Sequence, residues 1–232
     1  MKTIGLIGGM SWESTIPYYR ILNEQVKEKL GGLHSARVIL YSVEFSEIEA
    51  CQSAGKWDRS ARILGDAAQK LEMAGADLIL ICTNTMHKVA DRIQAGVRVP
   101  VIHIADATAD ALDRAGIRKV GLLGTRYTMT EEFYRARLDA RGFQVLIPDG
   151  EDIETVNRVI FGELCLGVIR QESREKLKDI LAKLKKRGAE AAILGCTELG
   201  LLVRQEDSEL PLFDTTRIHA ERAAEIALED EQ

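Results

Sequence analysis

The sequence predicts an α/β protein built on parallel sheets, and two features of the residue pattern carry that prediction. Short apolar runs alternate with segments of helical periodicity along the whole chain. No stretch rich in proline, glycine or serine separates these segments, so any two halves are expected to pack together rather than to be tethered. Continuous apolar strands between helices are typical of parallel sheets covered on both faces.

Each element is predicted from its own local pattern. Strands are predicted where aliphatic residues form a short run, at 3–7, 37–42, 78–82, 101–103, 119–123, 144–147, 191–194 and 212–213. Helices are predicted where apolar residues recur with a helical period, at 15–30, 45–54, 58–74, 87–95, 105–115, 131–140, 153–164, 172–187 and 217–229.

A short internal repeat joins helices to strands. A leucine, three residues and a glycine precede a predicted strand at Leu71 and Gly75, Leu112 and Gly116, Leu138 and Gly142, and Leu184 and Gly188. Each glycine suits the position just after a helix, where a positive φ is common. In open parallel sheets ligands bind at the carboxyl ends of strands, so the residues that follow these strands are the first candidates for chemistry.

Polar segments follow three of the predicted strands, at 8–15, 83–87 and 195–198. The first has neither the GxGxxG pattern nor a phosphate-binding lysine, so it predicts no nucleotide site, and its plain interpretation is a tight turn capped by Ser11 or Ser14. The other two are rich in hydroxyl and amide groups, which with backbone N–H groups can hold a carboxylate.

The register of the repeat decides which residue enters a site. Alignment on Gly75 and Gly188 pairs Thr83 with Cys196, whereas alignment on the dipeptide Cys-Thr pairs Cys82 with Cys196. Successive strand side chains point to opposite faces, so the two alignments place different groups in the site. The glycine alignment shares more context, so we place Thr83 in the site and interpret Cys82 as a buried strand residue.

Composition excludes several classes of function. The net charge of −5 and a pI near 5.5 argue against a nucleic-acid partner, and the basic run 183–187 is expected to be a solvated helix end. No apolar run is long enough for a signal peptide or a membrane span, so we expect a cytoplasmic protein with reduced cysteines and no membrane partner. The four histidines show no metal-ligand spacing, so no metal site is predicted.

Taken together, the three segments resemble the aspartate/glutamate racemase superfamily, and within it the aspartate racemase branch. The resemblance covers essentially the whole chain. It implies two α/β halves related by a pseudo-two-fold axis, expected at 1–98 plus 211–232 and at 99–210. It also implies an active site in the cleft between them, usually a homodimer, and an amino-acid substrate. Racemisation then needs no pyridoxal phosphate or other cofactor, because two cysteines act on opposite faces of the substrate Cα.

The chain departs from that pattern at one catalytic position. Relatives carry Cys-Asn-Thr where this chain has a threonine, so the resemblance implies Cys196 as thiol base and Thr83 in the opposite-face position. A threonine hydroxyl is far too weak an acid to rest as an alkoxide near neutral pH. Since the cysteine matching Cys196 deprotonates the L-enantiomer in relatives, we expect preferential action on L-amino acids, with slow or absent turnover of the D-enantiomer.

The remaining site residues are carried over from matching positions of the family. The expected substrate-binding residues are Met10, Gln52, Asn84, Thr85, Thr125, Tyr127, Thr128 and Thr197. Arg126 is a weaker candidate, while His87 and Glu198 are candidates for setting thiol pKa values, with helix capping as the alternative for His87. Cys165 is interpreted as a filler in the middle of a helix.

Substrate choice stays open at this point. Some aspartate racemases carry a lysine in the stretch matching 163–167 and an arginine near 47–49, and this chain has neither. Aspartate and glutamate remain the expected substrates, with a broader set of L-amino acids as the alternative. Two rival functions also remain: a cysteine-dependent decarboxylase of the same superfamily, and a binding protein that holds an amino acid without converting it.

Overall fold

The computed structural model describes residues 1–229, which form two compact units. Among the described residues, one unit comprises 1–104 and 219–229, and the other comprises 105–218. These limits differ by several residues from the expected ones at 98 and 210, because the strand after each of those points pairs with the sheet that precedes it. Residues 230–232 of the expected first domain lie outside the described residues.

Each unit is built on a four-stranded parallel sheet, and the two sheets have the same strand order. The first sheet has the order β2-β1-β3-β4, with β1 (Ile4–Gly8), β2 (Val38–Ser42), β3 (Leu78–Ile81) and β4 (Val101–Ile102). The second has the order β6-β5-β7-β8, with β5 (Lys119–Gly124), β6 (Gln144–Leu146), β7 (Ala191–Gly195) and β8 (Leu212–Asp214). The predicted α/β fold with two similar halves is thus confirmed.

All nine predicted helices are present, with ends shifted by a few residues. They are α1 (Trp12–Leu30), α2 (Phe45–Ser53), α3 (Trp57–Met73), α4 (Ala90–Gln94), α5 (Ile104–Arg114), α7 (Glu132–Asp139), α8 (Gly150–Gly162), α9 (Gln171–Lys186) and α11 (Thr215–Leu228). Two short helices that were not predicted follow strands β5 and β7, namely α6 (Arg126–Thr130) and α10 (Leu199–Leu202). Three 3-10 helices complete the described elements, at Thr85–Val89, Leu164–Leu166 and Gln205–Asp207. None of the described helices combines the length and apolar character needed to cross a membrane.

Helices cover both faces of the first sheet, as predicted. Along β3, Leu78 and Leu80 pack into a core with α1 and α11, while Ile79 and Ile81 pack into a second core with α3 and α4. This alternation is the two-residue period of a strand with two buried faces. Cys82 continues the first series and is fully buried among the residues of the α1 and α11 core.

Strand pairing fixes which positions of the two sheets are equivalent. Gly5 of β1 pairs with Ile79, and Gly121 of β5 pairs with Ala192. Ile79 and Ala192 each lie four residues after the glycine that ends the preceding helix, and these glycines have φ values of 95° and 90°. The glycine alignment is therefore the register of the folded chain, and it makes Thr83 equivalent to Cys196.

Candidate active site

The turn after β1 depends on a glycine and a buried threonine. Gly9 has a φ of 90°, and a Cβ atom there would lie 2.3 Å from the carbonyl oxygen of Val43. The Gly9 N–H donates to Thr15 Oγ1 at 2.9 Å, and that hydroxyl donates to the Ser11 carbonyl at 2.9 Å. Ser11 makes no side-chain cap bond, whereas the Ser14 hydroxyl donates to the Ser11 carbonyl at 3.1 Å, so Ser14 and Thr15 rather than Ser11 hold the turn.

Met10 and Gln52 lie at the same edge of the first unit but in different surroundings. The Met10 side chain is buried in the core shared with α3, so substrate contact at this position would involve its backbone. Gln52, on α2, is also buried, and its Nε2 donates to Met86 Sδ at 3.0 Å. Gln52 therefore reaches the segment that follows β3, which an exposed helix residue would not do.

The segment after β3 is buried and held by a histidine. Thr83, Asn84 and Thr85 are all buried, and the backbone N–H of His87 donates to the Asn84 carbonyl at 3.0 Å. His87 Nδ1 lies 2.8 Å from the Thr83 carbonyl, and its Nε2 accepts from the Ile104 N–H at 3.2 Å. Since Nε2 is the acceptor, Nδ1 carries the proton and donates to Thr83. His87 thus anchors the backbone of Thr83 and also binds the first N–H of α5.

Two further histidines pack against His87. The ring centroids of His103 and His219 lie 4.5 and 5.7 Å from that of His87. His219 Nε2 donates to the Ile102 carbonyl at 2.8 Å, and its Nδ1 accepts from the Tyr18 hydroxyl at 2.9 Å. Burial, and then the neighbouring His87, lower the pKa of His219 to about 3, so this imidazole is neutral at physiological pH.

In the second unit, two glycines bring the ends of β5 and β7 together. Gly124 pairs with Gly195, and a Cβ atom on Gly124 would lie 2.7 Å from the Gly195 carbonyl oxygen. The residue after β5 is Thr125, whose Oγ1 caps α6 by accepting from the Thr128 N–H at 3.3 Å. The Thr125 and Thr128 hydroxyls are also within hydrogen-bond distance, at 3.2 Å. These two hydroxyls therefore form one polar cluster.

The other members of this turn differ in exposure. Tyr127 is half-buried, whereas Arg126 is exposed. The Arg126 guanidinium forms an ion pair with Glu154, and its backbone N–H donates to Asn157 Oδ1 at 2.9 Å. Arg126 is thus already engaged by α8, while Tyr127 remains compatible with a role in a site.

The turn after β7 carries a buried thiol and carboxylate. Cys196 is 6% exposed and Glu198 only 2%. Cys196 Sγ donates to Glu198 Oε2 at 3.0 Å, and Thr197 Oγ1 donates to the same oxygen at 2.8 Å. Burial raises the pKa of the Cys196 thiol well above its ordinary value, and Glu198 and Cys165 raise it further.

The other cysteines of these turns are protonated as well. Burial raises the pKa of Cys82, and burial followed by the charge of Glu198 raises the pKa of Cys165. The expectation that Cys165 lies in the middle of a helix is wrong. Helix α8 ends at Gly162, and Cys165 lies in the 3-10 helix Leu164–Leu166, where it packs against the core that includes Cys196.

Each unit brings its own predicted residues together. In the first unit, Met10, Gln52, Thr83, Asn84 and Thr85 lie near the carboxyl ends of β1 and β3. In the second, Thr125, Tyr127, Thr128, Cys196 and Thr197 follow the paired ends of β5 and β7. Among the described residues, no group of three or more His, Cys, Asp or Glu side chains could hold a metal ion.

Sequence reasoning missed two titratable groups at strand ends, the buried His103 and the half-buried Asp214. His103 directly follows β4, and Asp214 is the last residue of β8, where its Oδ1 accepts from the Thr216 N–H at 2.9 Å. Burial raises the pKa of Asp214. Both strands were predicted, at 101–103 and 212–213, so the strand-end rule is the signal that could have found these two residues.

Comparison with known proteins agrees with this architecture. The family model described as Asp/Glu/Hydantoin racemase matches residues 7–223. A Yersinia pestis protein whose crystal structure is described as that of a proposed Asp/Glu racemase is 56% identical, with a TM-score of 0.91; the match covers 99% of this chain and 100% of that one.

Two more distant relatives also match over nearly the whole chain. The crystal structure of an aspartate racemase homologue from Pyrococcus horikoshii OT3 is 40% identical, covers 99% of this chain and 100% of that chain, and has a TM-score of 0.85. A protein of Bacillus subtilis (strain 168) named broad specificity amino-acid racemase is 26% identical, with 92% of each chain covered.

Proposed function

This amino-acid racemase belongs to the Asp/Glu/hydantoin racemase family, and we propose that it moves the α-proton of its substrate without pyridoxal phosphate. In this proposal the Cys196 thiolate removes the α-proton, and Thr83 stands on the opposite face of the substrate Cα. The observation that carries the proposal is the register equivalence of these two residues, because it leaves only one of the two matched positions with a thiol.

One position of the pair carries a thiol and the other a hydroxyl, so proton removal differs between the two faces of the substrate. This difference cannot favour one direction of net conversion. Two enantiomers have equal free energies in an achiral solvent, so kcat/KM must be the same for conversion in either direction. A strong base on one face and a hydroxyl on the other therefore cannot make net conversion one-way. The asymmetry instead appears as isotope exchange: the L-enantiomer exchanges its α-proton with solvent and keeps its configuration, faster than either enantiomer is inverted.

Aspartate, glutamate or a broader set of L-amino acids are the proposed substrates. Relatives named aspartate racemase homologue and broad specificity amino-acid racemase support both possibilities. Gln52 offers an amide rather than a positive charge at its buried position. The Arg59 guanidinium, near 47–49, is already paired with Glu47 at 2.7 Å. Because an acidic substrate side chain would need a positive charge, these two observations favour the broader set. Proposed substrate contacts come from Met10, Gln52, Asn84, Thr85, Thr125, Tyr127, Thr128 and Thr197.

A homodimer is part of the proposal. Trp12, Ile16 and Tyr19 are 58%, 56% and 58% exposed and lie on one face of α1, since they are spaced by four and three residues. Three large exposed side chains in one stripe are typical of a protein–protein contact. The four free cysteines suit a reducing compartment, so a cytoplasmic location is proposed as well.

The decisive experiment follows α-proton exchange in deuterium oxide by NMR, with a panel of L- and D-amino acids, alongside chiral chromatography of the products. The wild type should exchange one or more L-amino acids, and Cys196→Ala should reduce that rate by at least about 100-fold. Cys51→Ala is the matched control, because Cys51 is a buried cysteine on α2 and should leave exchange unchanged.

Three outcomes would contradict the proposal in different ways. Equal exchange rates from both enantiomers would refute the one-sided arrangement. Tight binding of an amino acid with no exchange would identify a binding protein. Release of carbon dioxide from a malonate substrate, dependent on Cys196, would identify a decarboxylase.

A further inference from the structure

The Cys196 thiol has a carboxylate within direct reach. Its Sγ donates to Glu198 Oε2 at 3.0 Å, a short distance for a sulfur donor, and Thr197 holds the same oxygen at 2.8 Å. Both members of the pair are buried. The two side chains lie two positions apart in one turn, between the end of β7 and the start of α10, so their contact is fixed by local backbone.

This arrangement conflicts with a simple thiolate base. Burial and the adjacent carboxylate both favour the protonated thiol, which cannot accept an α-proton. A base on this turn must therefore first lose its own proton. Glu198 Oε2 already accepts the thiol hydrogen bond at 3.0 Å, so proton transfer needs no rearrangement of the turn.

We propose that Glu198 receives the Cys196 proton when substrate binds and thereby generates the thiolate, which makes Glu198 a positioning and proton-accepting residue that acts through Cys196. This inference rests on the proposed function, because it assigns the step that precedes α-proton removal. The reacting group that touches the substrate remains Cys196.

The first proton transfer is balanced within the turn. The S–H bond breaks, its electron pair stays on sulfur, and an O–H bond forms on Glu198, so the pair carries one negative charge before and after transfer. The thiolate then takes the α-proton, leaving the electron pair on the substrate. When Cys196 returns a proton to the same face, the thiolate forms again and takes its proton back from Glu198. When a solvent-derived proton reaches the opposite face instead, Cys196 keeps the α-proton and Glu198 releases its proton to solvent, so one proton is taken from solvent and one is returned.

Two other titratable groups lie on elements next to this turn. Cys165, on the 3-10 helix Leu164–Leu166, interacts electrostatically with both Cys196 and Glu198. Asp214 at the end of β8 lies against α10, where its Oδ2 would be 2.6 Å from a Cβ atom on Gly200. Burial raises the pKa of both side chains, which disfavours further negative charge near the pair.

The first test is the pH profile of α-proton exchange in three variants. Glu198→Gln keeps a similar shape but cannot accept the proton, so exchange near neutral pH should fall by about 100-fold or more. The deficit should narrow as pH rises, because hydroxide then removes the thiol proton. Glu198→Asp should recover part of the rate, and the exposed Glu206→Gln should match the wild type.

Two results would overturn the proposal in this assay. Exchange by Glu198→Gln within twofold of the wild type at every pH would show that no acceptor is needed. A loss of equal size at every pH would show that Glu198 only shapes the turn.

The second test measures the hydrogen bond between Cys196 and Glu198 in the absence of substrate. Infrared spectroscopy of the free protein should show a Cys196 S–H stretching band, assigned by its loss in Cys196→Ala, at a strongly hydrogen-bonded frequency. Glu198→Gln should move this band toward a weakly bonded frequency, and an unmoved band would overturn the proposal.

The two tests separate this inference from the proposed function. A wild type that exchanges no α-proton, together with a Glu198-dependent S–H band, would refute the function and support the pairing. If the wild type exchanges the α-proton normally but the Cys196 S–H band does not move in Glu198→Gln, only the pairing is refuted.

Discussion

Thr83 and Cys196 hold the same register position in two sheets of the same strand order, yet one is a hydroxyl and the other a thiol. Their neighbours differ as well. The residue before Thr83 is the fully buried Cys82, whereas the residue before Cys196 is Gly195. A thiol therefore exists on the β3 side, but it is one position away and packed into the core with α1 and α11.

Thr83→Cys should restore two equivalent thiols and change the exchange pattern. We expect exchange of the D-enantiomer to rise by about 100-fold, and kcat/KM for inversion to rise by one common factor in both directions. NMR in deuterium oxide and polarimetry measure the two effects. Cys82→Ala in the wild-type background is the control and should not lower exchange; a loss of exchange in Cys82→Ala would show that Cys82 is the group in the site.

Gly195→Ala should destabilise the second unit. The added Cβ would lie 2.8 Å from Leu122 Cδ1 and 2.8 Å from the Leu123 carbonyl oxygen, so strands β5 and β7 must move apart. The free energy of unfolding should fall by about 1–3 kcal/mol, measured by denaturant titration. Gly65→Ala is the control: on α3 it has nothing within 4 Å and should stabilise the protein by about 0.4–1 kcal/mol. A stable Gly195→Ala variant would contradict the close packing.

The neutral His219 should make stability depend on pH. Its pKa is about 3 in the folded protein and 6.5 when unperturbed, so between these values the unfolded chain binds one more proton. The free energy of unfolding should therefore decrease as pH falls from 6.5 toward 3, by up to about 1.4 kcal/mol per pH unit from this group.

His219→Gln should flatten that dependence, as measured by denaturant unfolding across the same pH range. The exposed His34→Gln is the control and should keep the wild-type slope. Identical slopes for the wild type and His219→Gln would mean that His219 titrates normally in the folded protein.

Substitution on the exposed stripe of α1 should weaken the proposed dimer. Trp12→Arg and Ile16→Arg place charges where the partner's apolar side chains would pack, so the dissociation constant should rise by about 30-fold or more in sedimentation experiments. Leu33→Arg is the control, because Leu33 is fully exposed at 102% and lies beyond the end of α1. A wild type that sediments as a monomer would refute the dimer itself.

The strands and long helices were predictable because their signals are local. The glycines at 75, 116, 142 and 188 all have positive φ values, as a position just after a helix requires, and each is followed by its predicted strand. Helices α6 and α10 were missed because four or five residues carry too little periodicity for detection.

The histidine cluster was not predictable for a different reason. Tyr18 and His219 are 201 positions apart, and their hydrogen bond exists only because α1 and α11 cover the same face of the first sheet. The Cys196–Glu198 bond shows the intermediate case. Its two residues are separated by one position, so their contact is local, but the burial of Cys196 depends on the core of the second unit, against which Cys165 also packs.

The contact of Gly124 with Gly195 also bears on how this scaffold can be engineered. A library that varies these two positions would consist largely of destabilised variants, because any added side chain meets the neighbouring strand. Thr125, Tyr127 and Thr197 follow these strand ends and already carry side chains. Randomisation for a new substrate range should therefore vary these three positions on an invariant pair of strand ends.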